Sequence, residues 1–92
     1  PSSPLCYNVT DVSNTSIHAY WRDGGNATGF RLHVDEGFMI IFISKSVACQ
    51  NLSQDCNHVI TGLSPGTNHS ITIFATSYGE ENSQSCTFHG KK

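Results

Sequence analysis

The segment from Ile60 to Ala75 reads Ile-Thr-Gly-Leu-Ser-Pro-Gly-Thr-Asn-His-Ser-Ile-Thr-Ile-Phe-Ala and decides the fold of this chain. A strand of alternating apolar and polar residues enters a turn rich in Gly and Pro, and a second alternating strand leaves it. Far upstream, the lone Trp21 closes another alternating strand, which begins at Ile17. This pattern predicts a β-sheet protein whose strands bury one face each.

Outward from this segment, the same alternation recurs along the chain and predicts seven strands. In chain order they are Leu5 to Thr10, Ser16 to Trp21, Gly29 to Val34, Phe38 to Ser44, Cys56 to Thr61, Ser70 to Ser77 and Ser85 to His89. The polar run from Tyr78 to Gln84 is predicted as the loop between the last two strands. Short strands at this spacing predict an all-β, seven-stranded antiparallel β-sandwich.

From Pro4 to His89 the sequence resembles a fibronectin type III domain, which has the immunoglobulin-like superfold. In that family a tryptophan on the second strand packs beneath the corner that joins the fifth and sixth strands, and Trp21 and the Pro-Gly turn match these two features. The resemblance implies a structural core that includes Trp21, Leu63, Pro65, Ile71 and Ile73. It also implies a binding or spacer module of an extracellular protein.

Two related families fit the sequence less well. An immunoglobulin domain carries cysteines on its second and sixth strands and a tryptophan on its third, whereas here those two strands lack cysteine and Trp21 ends the second strand. A cytokine-receptor-like module remains an alternative. The chain, however, has no Trp-Ser-x-Trp-Ser segment and no closely spaced cysteine pair ahead of Trp21.

His69 stands where the fibronectin type III family usually has a tyrosine whose hydroxyl bonds back across the turn. Imidazole is shorter than phenol, so we expect His69 either to replace that hydrogen bond from one ring nitrogen or to leave it to water. On this basis the substitution His69→Tyr is expected to raise stability by about 1 kcal/mol, the size of one hydrogen bond.

Length and charge restrict what the chain can do. Its 92 residues suit one domain, predicted over residues 1–92 with a core at about 4–89. A net charge of −2, with five scattered Lys and Arg residues, gives no basic patch for nucleic acid. The longest apolar run, Phe38 to Ile43, is too short to cross a bilayer, and no signal peptide opens the sequence. We therefore expect a part of a larger extracellular protein that does not itself insert into the membrane.

Sites of the form Asn-x-Ser/Thr are more frequent than chance. Seven Asn and twenty Ser or Thr among 92 residues would give about 1.5 such sites, whereas the chain has five. They are Asn8, Asn14, Asn26, Asn51 and Asn68. The excess predicts N-linked glycans and an extracellular location, either secreted or on the ectodomain of a membrane protein. The alternative is that turns rich in Asn and Thr produce the motif by accident.

Four cysteines, an even number, fit an oxidising compartment and allow three pairings. The sandwich arrangement favours Cys6–Cys86, between the first and last strands, and Cys49–Cys56, across a short loop ahead of the fifth strand. The crossed pairings stay open at this stage. Because the chain has no C-x-x-C or H-x-x-x-H spacing, we predict no zinc site and no other cofactor.

The apolar run is the candidate binding surface. It consists of Phe38, Met39, Ile40, Ile41, Phe42 and Ile43. Because neighbouring residues of a strand face opposite sides, either the even-numbered or the odd-numbered members point away from the core. The strand is expected at a sheet edge, so its outer residues either contact a protein partner or neighbouring domain or are covered by a loop or glycan. We expect Ile41→Lys to weaken such a contact while the protein still folds.

Catalysis has little support in the sequence. The five His residues fall on separate strands and turns, and no nucleophile elbow, His-Glu-x-x-His motif or phosphate loop is present, so we predict no enzyme. Glu80 and Glu81 are interpreted as a solvated turn. The predicted function is an extracellular protein-binding or adhesion module of a cell-surface or secreted glycoprotein. The alternative is a structural spacer in a multi-domain receptor ectodomain, such as that of a receptor-type tyrosine phosphatase.

Overall fold

Antiparallel strands and one short helix form the structure, which is a computed structural model. The described residues are 4–50, 53–78 and 80–91, and the description of 81–84 and 91 is limited to the backbone. Seven strands lie in these ranges, namely β1 (Leu5–Ser13), β2 (Ser16–Arg22), β3 (Gly29–Val34), β4 (Met39–Ser44), β5 (Asp55–Ile60), β6 (Asn68–Ser77) and β7 (Glu80–Lys91). Helix α1 (Lys45–Ala48) follows β4.

The strands are arranged in two antiparallel sheets. The three-stranded sheet has the order β1-β2-β5, and the four-stranded sheet has the order β4-β3-β6-β7. Buried side chains from both sheets form one hydrophobic cluster, so the sheets pack face to face. The predicted all-β sandwich is confirmed, and α1 is an addition that the sequence did not predict because four residues are too few to show a helical period.

The last strand corrects the sequence prediction. β7 begins at Glu80, and Glu81 pairs with Thr76, so most of the predicted loop from Tyr78 to Gln84 belongs to a strand. The run Glu-Glu-Asn-Ser-Gln resembles a loop in composition, but Glu80 and Glu81 pair with Ser77 and Thr76 of β6, and that pairing outweighs weak strand propensity. The connection between β6 and β7 is therefore much tighter than predicted.

Alternation along the strands places the apolar side chains between the sheets. The largest fully buried side chains are Trp21, Phe30, Ile17, Leu32, Ile60, Ile71, Ile73, Val34, Cys49 and Cys56. The rings of Trp21 and Phe30 meet edge to face with their centroids 5.3 Å apart, which joins β2 of one sheet to β3 of the other. Aromatic pairs in this geometry contribute about 0.5–1.5 kcal/mol beyond their burial.

Both disulfides are arranged around Trp21. In the three-stranded sheet, Trp21 pairs with Cys6 on β1 and with Cys56 on β5. Cys6 is bonded to Cys86 on β7, which links the two sheets, and their Cα atoms lie 5.5 Å apart. Cys56 is bonded to Cys49 at the end of α1, so the second bridge holds the helix against the core.

A buried ion pair fixes the loop between β2 and β3. The carboxylate of Asp23 is fully buried and accepts hydrogen bonds from the Lys45 ammonium group and from the backbone N–H of Gly25. Lys45 is the first residue of α1, and its backbone N–H donates to the carbonyl of Thr28 in the same loop. Because a buried charge is costly without a partner, the Asp23–Lys45 pair couples this loop to α1.

One of the five residues predicted to form the core lies outside it, in the corner between β5 and β6. Trp21, Leu63, Ile71 and Ile73 are buried, whereas Pro65 is exposed. Pro65 precedes Gly66, whose φ of +74° is in the region that favours glycine, so the proline shapes the turn and does not fill the core. The backbone N–H of Leu63 donates to the carbonyl of Thr15, which ties the corner to the β1–β2 turn.

Gly29 is required by a close approach of two strands. It is buried at the start of β3, opposite Ser44 of β4. A Cβ atom on residue 29 would lie 2.9 Å from the backbone oxygen of Ile43 and 3.2 Å from the hydroxyl oxygen of Thr76. The first of these atoms is backbone and cannot rotate away, so the two strands would have to separate.

We expect Gly29→Ala to lower the free energy of unfolding by about 1–3 kcal/mol, because the added methyl group overpacks this contact. Gly90→Ala is the matched control, since a Cβ atom there meets nothing within 4 Å. Urea denaturation of both variants measures the difference. Equal midpoints for the two variants would show that the strands can adjust to a side chain at residue 29.

Candidate functional site

Three of the six candidate binding residues are exposed. Ile40 and Phe42 lie on the outer face of the four-stranded sheet, and Phe38 lies in the turn ahead of β4, which begins one residue later than predicted. The exposed fractions of Phe38, Ile40 and Phe42 are 89%, 45% and 70%. The alternate residues Met39, Ile41 and Ile43 are half-buried and pack against the core. From the sequence, either the even-numbered or the odd-numbered residues could point outward. In the structure the even-numbered residues are the outer ones.

This assignment corrects the proposed test at Ile41. Ile41 pairs with Leu32, which is fully buried, and both side chains face the other sheet. A lysine at position 41 would place a charge against the hydrophobic core, so its main effect would be on folding. Substitutions at Ile40 or Phe42 are the ones that change the outer face alone.

Arg31 connects two aromatic residues across this face. On β3 it pairs with Phe42 of β4 on one side and with Phe74 of β6 on the other. Its guanidinium carbon lies 4.6 Å from the centre of the Phe42 ring, which is within the range of a cation–π interaction. The result is a row of aromatic, cationic and aromatic side chains across three strands, of which the sequence analysis identified only Phe42.

His33 continues the same surface one row further along. It pairs with Ile40 of β4 and with Thr72 of β6, and its ring lies 4.7 Å from the ring of Phe74. Neither β3 nor β4 has an acidic residue within its strand. The face formed by Phe38, Ile40, Phe42, Arg31, His33 and Phe74 is therefore apolar and aromatic with a positive charge, and we call it the aromatic face.

Most of the described glycosylation motifs lie away from the aromatic face. Asn8 is on β1 of the other sheet and Asn14 is in the turn that follows β1. Asn26 is in the loop between β2 and β3, with a φ of +61°. Asn68 begins β6 at the end of the four-stranded sheet near Asp35, and the alternation of β6 places its side chain on the same face as Phe74. All four of these side chains are exposed. The fifth motif, at Asn51, lies outside the described residues.

A polar cluster occupies the outer face of the other sheet. Nε2 of His18 lies 2.9 Å from the side-chain oxygen of Asn57, and Nδ1 of His18 lies 3.0 Å from the hydroxyl of Tyr20. The His18 and Tyr20 rings are stacked with a centroid distance of 4.2 Å. With Nε2 as donor to the Asn57 oxygen and Nδ1 as acceptor from the Tyr20 hydroxyl, both ring nitrogens have a partner.

His58 lies on the inner side of the same sheet. It pairs with the fully buried Ala19 and is itself half-buried. Burial lowers the pKa of His58 below 6.5, and the charge of nearby His18 lowers it further. His18 and His58 therefore point to opposite sides of the sheet.

His69 is bonded on both sides of its ring. Nδ1 lies 2.9 Å from one carboxylate oxygen of Asp35, and Nε2 lies 2.8 Å from the Thr67 hydroxyl and 3.2 Å from the Ser64 carbonyl. The ring is buried, and it links the β5–β6 corner to the turn that follows β3. Of the two sequence expectations, replacement of the tyrosine bond is the one observed, with Asp35 as an additional partner.

The described residues do not form a metal centre. Among them, no group of three or more His, Cys, Asp or Glu side chains lies close enough to hold a metal ion. His69, Asp35 and His89 line an open depression of about 610 Å³ at one end of the four-stranded sheet. Within the described part of the chain, no helix is long and apolar enough to span a membrane.

Comparison with known proteins identifies the fold. No family model matches the sequence, and no curated protein matches it either. The structure of the chain is similar to that of the FN5 domain of Drosophila Lar, with a TM-score of 0.67 and 21% identity over 100% of this chain and 98% of that one. It is also similar to the structure of FN3tt mut, with a TM-score of 0.65 and 16% identity over 98% and 97% of the two chains. The chain therefore has the fibronectin type III fold, as its resemblance implied.

We expect acid to destabilise the protein through His58. Its pKa is lower in the folded state than the ordinary 6.5, so below that pH the unfolded chain binds the proton more readily and stability falls as the pH falls. His58→Gln should flatten the decline in melting temperature between about pH 7 and pH 5. His89→Gln, at an exposed histidine, is the control and should leave the decline unchanged. The same slope in all three proteins would exclude His58 as its source.

We now expect His69→Tyr to destabilise the protein, in contrast to the expectation from sequence. The longer phenol would extend into the space that the Thr67 hydroxyl and the Ser64 carbonyl occupy, and Asp35 would lose its partner. A loss of about 1–3 kcal/mol is expected from overpacking, measured by urea denaturation. His89→Tyr is the control and should have little effect. A higher midpoint for His69→Tyr would restore the sequence-based expectation.

Proposed function

We propose that this chain is an extracellular, non-catalytic module that binds a protein partner through the aromatic face. The observation that supports the proposal is the row of exposed side chains Phe38, Ile40 and Phe42, with Arg31 placed against Phe42. Isolated exposed apolar residues are ordinary, but a contiguous patch on a single sheet face is typical of a contact surface.

The composition of the aromatic face suits a protein contact. Aromatic residues and arginine are enriched at the centres of interfaces, and residues such as these carry most of the binding energy. Arg31 pairs with Phe42 and Phe74 on the two neighbouring strands, and its guanidinium carbon already lies 4.6 Å from the centre of the Phe42 ring before a partner binds. A side chain that is already ordered loses little conformational entropy on binding.

The extracellular part of the proposal rests on cysteines and glycosylation motifs. Two disulfides are characteristic of an oxidising compartment, and each closes a loop in this fold. We propose N-linked glycans at Asn8, Asn14, Asn26, Asn51 and Asn68. In the described residues, Asn8, Asn14 and Asn26 lie on the other sheet or in turns and loops, so sugars there would leave the aromatic face accessible. A sugar at Asn68 would lie on the same side of the four-stranded sheet as Phe74.

Binding of the glycosylated chain to cell surfaces tests this proposal. The chain is produced in a mammalian secretory host, coupled to fluorescent beads and measured by flow cytometry. Phe42→Ser and Arg31→Ser should each reduce bead binding by about tenfold or more, because each removes one half of the Arg31–Phe42 contact. Val12→Ser is the matched control, since Val12 is a 56% exposed apolar residue on β1 of the other sheet.

Two results would contradict the proposal. Absence of bead binding to any cell type, or an equal loss in the Val12→Ser control, would favour a spacer domain. Peptide mapping of the same preparation by mass spectrometry measures glycan occupancy, and five unmodified asparagines would remove the argument for an extracellular location.

A further inference from the structure

β4 is an edge strand with one free side. In the four-stranded sheet it pairs with β3, and among the described residues no strand lies on its other side. In an antiparallel strand, alternate residues direct their backbone N–H and C=O groups away from the neighbour, so β4 presents a row of such groups to the outside. This row is a template for another strand.

The other three edges carry features that hinder pairing. β1 has two register shifts and the glycosylation motif at Asn8, and β5 contains Asp55 and the half-cystine Cys56. β7 has a register shift near its start and is tied to β1 by its disulfide. By contrast, β4 pairs with β3 without a shift and contains no charge, proline or glycosylation motif. Since edges are normally protected by such features, β4 is the one suited to receive a strand.

We propose that two copies of this chain associate through antiparallel pairing of their β4 strands, so that their four-stranded sheets become one continuous sheet. An antiparallel pair of identical strands has a two-fold axis, which closes the assembly as a dimer. The proposal rests on the proposed function, because it names a second copy as the partner of part of the aromatic face. It uses the strand edge together with Ile40 and Phe42.

The sequence of β4 is self-complementary in one register. With Ile41 opposite Ile41 of the second copy, Ile40 of each copy is opposite Phe42 of the other on the outer face. On the inner face, Met39 is opposite Ile43. Residues directly opposite in an antiparallel pair share a face, so apolar side chains meet apolar side chains on both sides of the joined sheet. A shift by one residue would place outer residues opposite inner ones.

Analytical ultracentrifugation of the glycosylated chain over a range of concentrations measures the association. We expect a monomer–dimer equilibrium in which Ile40→Lys/Phe42→Lys raises the dissociation constant by about tenfold or more, because lysines then face each other across the pair. Val12→Lys is the control and should associate like the unmodified chain. Circular dichroism verifies that each variant is folded.

A charge-exchange experiment tests the register. Ile40→Glu/Phe42→Glu should be monomeric alone, for the same reason as the lysine variant. A mixture of the two variants should form a heterodimer, because residue 40 of one copy is opposite residue 42 of the other and unlike charges then meet. Hydrogen exchange provides a second measurement on the unmodified chain, in which amides of Met39–Ser44 become more protected as concentration rises.

Three results would overturn the proposal: a monomer at every concentration, dimers unaffected by the lysines, or dimers without added protection in β4. These outcomes are distinct from failure of the proposed function. A chain that stays monomeric but still binds cells through Phe42 and Arg31 would keep its function and have a different protein as its partner. A chain that fails in both assays would be a spacer.

Discussion

Trp21 is the residue on which the rest of this structure depends, because the two sheets and both disulfides meet around it. Its neighbours across the three-stranded sheet are Cys6 and Cys56, and its ring packs edge-on against Phe30 of the other sheet. Strand pairing with Trp21 thus places Cys6 where it can bond to Cys86 and Cys56 where it can bond to Cys49. Because Phe30 faces inward to meet the tryptophan, the next residue, Arg31, must face outward. The core contact therefore also sets the orientation of the candidate binding surface.

Most of the strands could be predicted from the sequence because their alternation is unambiguous. β3 matches its predicted bounds, since Phe30, Leu32 and Val34 alternate with polar residues. The early part of β7 could not be predicted, because Glu80–Gln84 is polar throughout and the pairing of Glu80 and Glu81 with β6 depends on the completed fold. The ion pair between Asp23 and Lys45 was also invisible, because contact between residues so far apart in the chain depends on the completed fold.

The apolar run that defines the candidate site is visible in the sequence, whereas the residues of other strands that lie beside it are not. Phe38–Ile43 is apolar at every position, so the sequence could not distinguish the outer residues from the inner ones. The burial of Leu32, which is opposite Ile41, settles that question in the structure. The sequence analysis did not include Arg31 and Phe74 in the candidate site, because they lie on strands other than β4. The one sequence feature that could have indicated them is that both occupy outward-facing positions of their strands. The partners of His69 were missed for the same reason, because Asp35 approaches it from another turn.

The bridge between Cys6 and Cys86 gives the domain an unusual response to mechanical force. The two residues are 80 positions apart in the sequence, yet they are joined directly by a covalent bond. Tension applied from outside this pair passes through the disulfide and bypasses the strands between. The chain inside the loop cannot be extended until the bond is reduced. Within a longer protein under load, such a domain would keep its length while unbridged neighbours unfolded, and a local change in redox conditions would release its extra length.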